Sequence, residues 1–134
     1  MMVPGTFPIP TWQITACHSP LILIIVTDNR VTSDNPPYAS WIELKDAIPS
    51  DEQMLWFRRF YLPNEADWQS WKASPIVAPT ESFAKVPPAW IGVAELDILR
   101  DEGIAYGEKI RDAGVAVEVH RYPAVHSLFY LDGE

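Results

Sequence analysis

Cysteine is nearly absent from the 134-residue sequence, which contains only Cys17. A single cysteine cannot form a disulfide within the chain. Cys17 and its neighbour His18 have no second pair of ligands at a spacing typical of a zinc site, so a ligand or thiol function of this pair is given little weight. We expect a reduced protein without a bound metal ion.

Basic residues are scarce as well, with 10 Lys and Arg against 18 Asp and Glu, and the formal net charge is -8 at pH 7. Proteins that bind nucleic acid neutralise phosphates with Lys and Arg. The sequence offers no basic stripe for that purpose, so we exclude nucleic acid as a partner.

Long apolar runs are missing too. The longest, LILIIV at residues 21–26, is far shorter than the roughly 20 residues of a membrane-spanning helix. The N-terminus shows no basic region ahead of an apolar core, so it does not resemble a secretory signal or a transit peptide. We therefore expect a cytoplasmic protein without a membrane span.

Three segments have the pattern of strands in a parallel sheet. LILIIV is apolar throughout and rich in β-branched residues, AWIGVAE follows at residues 89–95, and VAVEVHRY at residues 115–122 alternates between apolar and more polar positions. A helix predicted from Arg100 to Ala113, with Gly114 as its C-terminal cap, would connect the last two strands. The sequence predicts an α/β fold.

The remaining segments are a leader and an insertion. Residues 1–20 contain four prolines and are predicted to be irregular, whereas residues 27–86 form a long insertion between the first two strands. A helix should begin after Ser50, which forms a Ser-x-x-Gln capping box with Gln53, and end near Leu62. Five aromatic residues of the insertion are typical of core packing, but those of the predicted helix cover two adjoining faces, so some of them are also predicted to line an apolar cavity: Trp41, Trp56, Phe57, Phe60 and Tyr61.

Two chemically important residues follow the last two predicted strands. Asp97 lies two residues after the end of AWIGVAE, and His126 lies in the loop after VAVEVHRY. The carboxyl ends of parallel strands meet at one edge of the sheet, where ligand groups gather, so the two side chains can meet there. Taken alone, Asp97 is also typical of a turn, Asp101 and Glu102 of a first helical turn, and His126 and His120 of ordinary surface histidines.

Several motifs resemble hormone-sensitive-lipase-like α/β-hydrolases. They are SPIVAP at residues 74–79, AELDILRDEG at residues 94–103, Ala-Gly-Val at residues 113–115 and Tyr-Pro-x-x-His at residues 122–126. The resemblance, which runs from about residue 21 to 131, implies the C-terminal part of that fold: three parallel strands, a crossover helix and a cap-type insertion. It also implies that Asp97 is the acid and His126 the general base of a catalytic triad, in the chain order of these enzymes.

The resemblance further implies a serine carboxylic-ester hydrolase that acts on small apolar esters without a metal or organic cofactor. The family carries its Gly-x-Ser-x-Gly nucleophile motif and its His-Gly-Gly oxyanion segment upstream of the point where LILIIV begins, and neither motif occurs in these 134 residues. Ser127 is rejected as a substitute, because it cannot readily attack in line with the adjacent imidazole. We expect a truncated or differently spliced product that is inactive alone.

Two further classes of function stay open. One is a non-catalytic small-ligand binding module that uses the aromatic residues of the insertion. The other is an interaction half that completes its sheet with another chain, or with a second copy of itself, through the exposed edge of residues 21–26.

Overall fold

The structure is a computed structural model that describes residues 28–123. The predicted leader at residues 1–20, the predicted strand and pairing edge at residues 21–26, and His126 lie outside the described residues. The helices are α1 (Ala39–Glu43), α2 (Asp51–Tyr61), α3 (Thr80–Phe83) and α4 (Arg100–Asp112), and the strands are β1 (Ala89–Ala94) and β2 (Val117–Tyr122). Short 3-10 turns at Glu65–Asp67 and Pro75–Val77 complete the set.

The two strands pair in parallel, with Ala89 opposite Val117 and Ala94 opposite Tyr122. Helix α4 connects them, so the described part contains one complete strand, crossover helix and parallel strand. This arrangement confirms the predicted α/β fold class and the predicted crossover. The third predicted strand is the run at residues 21–26 and stays a prediction.

Helix α4 lies close against one face of the strands at its two glycines. A Cβ atom placed on Gly107 would lie 2.9 Å from Val119 Cγ2, and one placed on Gly103 would lie 2.8 Å from Val93 Cγ1. Side chains at these positions would push the helix away from the sheet, so glycine is what permits the close approach. The opposite face of β2 carries the exposed residues Glu118 and His120, as its alternating pattern predicted.

The end of α4 follows from the backbone freedom of Gly114. This residue has a φ of 86°, in the left-handed region that favours glycine. The amide of Gly114 donates to the carbonyl of Arg111 at 2.9 Å, and the amide of Val115 donates to the carbonyl of Ile110 at 3.2 Å. These two bonds form a Schellman cap, which turns the chain toward β2.

The insertion contains the predicted capped helix. The hydroxyl of Ser50 accepts from the amide of Gln53 at 3.3 Å, and Gln53 Oε1 accepts from the amide of Ser50 at 2.9 Å. Asp51 and Glu52 lie in the first turn, where the helix dipole favours acids, and Leu62 caps the other end. Both predicted bounds of this helix are confirmed to within one residue.

The insertion shares a hydrophobic core with the segment that follows β1. The core consists of Val31, Trp41, Met54 and Ile98, of which only Ile98 comes from outside the insertion. The described part of the insertion, residues 28–86, therefore packs directly on the segment that joins β1 to α4. No helix within residues 28–123 is long and apolar enough to cross a bilayer.

Candidate active site

Asp97 lies three residues beyond the carboxyl end of β1 and is only 4% exposed. Its Oδ1 accepts from the amide of Leu99 at 2.8 Å, and its backbone carbonyl accepts from the amide of Arg100 at 3.0 Å. The side chain thus closes a tight turn that leads straight into α4. The structure places this carboxylate at the sheet edge that the sequence predicted.

The chain leaves β2 at that same edge. The amide of Glu95 donates to the carbonyl of Tyr122 at 2.8 Å, which extends the pairing of the two strands by one bond. His126 follows Tyr122 by four residues and lies outside the described residues. Its approach to Asp97 therefore stays a prediction, although the segment that leads to it starts beside the turn of Asp97.

Asp101 is held on the side of the insertion. Its Oδ2 accepts from the amide of Ser40 at 2.8 Å, and its Oδ1 accepts from Arg100 Nε at 2.8 Å. Burial alone would raise the pKa of Asp101, but the bonds from Arg100 and Ser40 outweigh it and hold the pKa below its usual value. Asp101 is therefore a charged link between α4 and α1.

Glu102 is fully buried, with 0% of its surface exposed. Its Oε2 accepts from the amide of Asp28 at 3.1 Å, and its Oε1 accepts from Trp41 Nε1 at 2.9 Å. The pKa of Glu102 is raised to about 8, mainly by burial and also by the neighbouring carboxylate of Asp28, although the two hydrogen bonds and Arg58 act in the opposite direction. The sequence predicted a structural acid of the first helical turn here, but it did not predict that this acid is buried.

Asp28, the second buried acid beside Glu102, has cationic and phenolic partners. Its carboxylate accepts from Arg30 Nη2 at 2.6 Å, from Arg30 Nε at 2.8 Å and from the hydroxyl of Tyr38 at 2.8 Å. Burial opposes its ionisation, but these bonds prevail and keep the pKa of Asp28 below its ordinary value. Asp28 is thus the charged member of the pair, and its charge makes ionisation of Glu102 harder.

Arg58 of α2 is the cation that faces this acidic pair from the insertion. It is 7% exposed, and its Nη1 donates to the carbonyls of Asn29 at 3.2 Å and Val31 at 2.7 Å. Burial lowers the pKa of Arg58, although the nearby acids Glu102 and Asp28 act to raise it. Arg58 therefore joins α2 to the backbone of Asn29 and Val31.

The five aromatic residues proposed for an apolar pocket fall into two groups. Trp41 is 2% exposed and packs in the core described above, where its indole N–H donates to Glu102. The other four lie on α2 and are each more than half exposed: Trp56, Phe57, Phe60 and Tyr61. Trp56 stacks on Phe60 with ring centroids 5.5 Å apart and meets Phe57 edge-on at 5.2 Å.

Sequence reasoning missed the partners of the acids, namely Asp28, Ser40 and Arg58. Each is a common residue type in a segment with loop or helix character, so its local pattern favours solvent exposure. The available signal was the adjacent pair of acids Asp101 and Glu102, a few residues after Asp97, since acids that enter a core need donors from elsewhere in the chain.

Comparison with known proteins identifies the family of this chain. The sequence profile of the alpha/beta hydrolase fold family matches residues 10–131. The chain therefore belongs to this family, and the resemblance to the hormone-sensitive-lipase-like branch is confirmed.

Individual relatives are esterases or hydrolases. An AB hydrolase superfamily protein of Schizosaccharomyces pombe is 42% identical over 115 residues, which are 84% of this chain and 33% of the relative. Esterase LipI of Mycobacterium tuberculosis is 47% identical over 64 residues, or 48% of this chain and 20% of the relative. The crystal structure of a thermostable esterase from Pseudomonas putida matches with a TM-score of 0.62 and 36% identity, over 69% of this chain and 29% of that one. The chain spans about a third or less of the length of these relatives.

Replacing Glu102 by Gln tests whether this buried carboxyl group is protonated in the folded protein. The pKa of Glu102 rises from 4.5 to about 8 on folding, so the folded state binds an extra proton between these values. The free energy of unfolding of the wild type should then fall as the pH rises from about 5 to about 8, by at most about 1.4 kcal/mol per pH unit. The Glu102→Gln variant should lack this contribution, because an amide does not titrate.

Urea unfolding across that pH range measures the effect. The variant should be the less stable protein near pH 5, because its amide can accept from only one of the two N–H donors that face Glu102. The stability difference should shrink as the pH rises. Glu108→Gln, at an exposed position of the same helix, is the matched control and should follow the wild type. Parallel profiles for Glu102→Gln and the wild type would contradict this assignment.

Proposed function

We propose that this chain supplies the acid and the general base of a serine carboxylic-ester hydrolase, with Asp97 as the acid and His126 as the base. The observation that carries the proposal is the buried carboxylate of Asp97 at the carboxyl end of β1, beside the parallel strand that leads to His126. Membership of the alpha/beta hydrolase fold family and similarity to esterases support it.

The chemistry assigns each group one task. His126 would take the proton of the attacking serine hydroxyl and later return it to the leaving alcohol, while Asp97 holds the imidazole in the correct tautomer and stabilises the imidazolium. A buried, hydrogen-bonded carboxylate suits this task, because it stays fixed while the charge on the imidazole changes. Esters with short or medium acyl groups are the proposed substrates, and cytoplasm is the proposed location.

The serine and the oxyanion donors have to come from outside these 134 residues. We propose that the isolated chain does not turn over esters, since it contains neither a Gly-x-Ser-x-Gly motif nor a His-Gly-Gly segment. The nucleophile and the oxyanion donors each contribute orders of magnitude to the rate, and the acid and base cannot replace them.

A non-catalytic binding module is the second candidate, and the aromatic cluster of α2 is the observation that favours it. Trp56 contacts both Phe57 and Phe60 while all three stay more than half exposed, and together they offer an apolar surface to a small ligand. This role needs neither Asp97 nor His126, so variants of those two residues separate it from the catalytic proposal.

Pairing of Asp97 with His126 is tested by the protonation of His126 in the isolated chain. A carboxylate within hydrogen-bonding distance stabilises the imidazolium, so Asp97→Asn should lower the titration midpoint of His126 by about one pH unit or more. The measurement is an NMR titration of the imidazole carbon-bound protons, assigned with His126→Gln. Asp112→Asn removes an exposed acid of α4 and should leave the midpoint unchanged. An unchanged midpoint in Asp97→Asn would reject the pairing.

Hydrolysis of p-nitrophenyl acetate and butyrate tests the proposed inactivity. The isolated chain should not exceed the uncatalysed rate, and His126→Ala should behave in the same way. Turnover well above that rate which disappears in His126→Ala would contradict the proposal and require a nucleophile within the chain. Ser127→Ala would then be the next variant to measure.

A further inference from the structure

Ser40 joins the insertion to the segment that carries Asp97. Its hydroxyl donates to the carbonyl of Ile98 at 2.7 Å, and its backbone amide donates to Asp101 Oδ2 at 2.8 Å. The same hydroxyl accepts a long bond of 3.4 Å from the amide of Asp101. Both Ser40 and Ile98 are 0% exposed, so water does not compete for these contacts.

The link through Ser40 acts on the turn of Asp97 beyond the last described backbone bond between the strands. Within residues 28–123, the last backbone bond between the two strand segments joins Glu95 to Tyr122, two residues before Asp97. Beyond that point, the turn has backbone bonds of its own and is bonded to the insertion through Ser40. Arg100 connects the same segment to the insertion, since it donates both to the carbonyl of Glu95 at 2.9 Å, after β1, and to the carboxylate of Glu43 at 3.0 Å, in the insertion.

We propose that Ser40 is a positioning residue for Asp97: its hydroxyl fixes the carbonyl of Ile98 and thereby the place of the adjacent carboxylate at the sheet edge. This inference rests on the proposed function, in which Asp97 pairs with His126. The physical reason is that the Ile98 carbonyl is buried and needs a donor. Without the Ser40 hydroxyl, the turn must shift before the Ile98 carbonyl can find another donor. Such a shift also moves the carboxylate of Asp97, which begins the turn.

Loss of a buried hydroxyl can also act through overall stability, and Ser74 supplies the matched control. Ser74 belongs to the insertion, is 0% exposed and accepts from the amide of Asn29 at 3.2 Å. Ser74→Ala therefore removes a buried hydroxyl of the same size from a position outside the 95–102 segment. Only Ser40→Ala should change the surroundings of His126.

The experiment is the NMR titration of His126 in the full chain of the wild type and the variants. Ser40→Ala should lower the midpoint by about half a pH unit or more, in the direction of Asp97→Asn, while Ser74→Ala stays within about 0.2 of the wild type. Ser40→Cys should fall between the wild type and Ser40→Ala, because a thiol is a weak donor of similar size. If Ser40→Ala does not fold, Ser40→Cys decides, and a wild-type midpoint overturns the inference.

The outcomes separate this inference from the function on which it rests. Lowered midpoints in Asp97→Asn and Ser40→Ala, with Ser74→Ala unchanged, support both. A lowered midpoint in Asp97→Asn, with Ser40→Ala equal to Ser74→Ala, overturns the role of Ser40 and leaves the pairing intact. No change in Asp97→Asn overturns the pairing and the role of Ser40 together.

Discussion

The buried carboxyl group of Glu102 imposes the constraint on which the rest of the structure depends. A carboxyl group without contact to water is stable only when both of its oxygens have hydrogen-bond partners, which for Glu102 include two N–H donors. The donors are the amide of Asp28 and the indole of Trp41, which are 74 and 61 positions away in the chain. Satisfying one side chain at the start of α4 therefore brings both ends of the segment from Asp28 to Trp41 against that helix.

This constraint explains why the insertion and the site form one unit. Once Trp41 reaches Glu102, its neighbour Ser40 lies beside Ile98 and Asp101, and Ile98 enters the core with Trp41 and Met54. The turn of Asp97 then lies between a strand and the insertion, each holding one side of it. The position of Asp97 at the sheet edge thus depends on the packing of Glu102, which lies in the first turn of α4.

Features with local signals could be predicted from the sequence. The alternation of apolar and polar residues predicted β2, the capping box predicted α2, and Gly114 predicted the end of α4. Each of these features depends on residues that are near one another in the chain. The strand pattern predicted the position of Asp97 after β1, and the family resemblance implied its role as the acid of a triad. Burial of Glu102 could not be predicted in this way, since it depends on partners from distant segments.

The burial of the aromatic residues also could not be predicted from local sequence patterns. Trp41 and Trp56 are the same residue type in the same insertion, yet one is 2% and the other 58% exposed. The difference arises from tertiary contacts: Glu102 offers an acceptor to the indole of Trp41, whereas the core-facing side of α2 is formed by Met54 and Arg58. Aromatic character alone therefore did not indicate which side chain enters the core.

A double-mutant cycle of Trp41→Phe and Glu102→Gln tests the central claim, that the hydrogen bond between these residues joins the insertion to α4. The amide of Glu102→Gln can accept from one of the two donors only, so removing the indole N–H as well relieves the mismatch. The account predicts that the two losses in free energy of unfolding, measured near pH 6, are non-additive by about 1 kcal/mol or more. Losses that add to within about 0.3 kcal/mol would show that the two side chains act independently and would contradict the account.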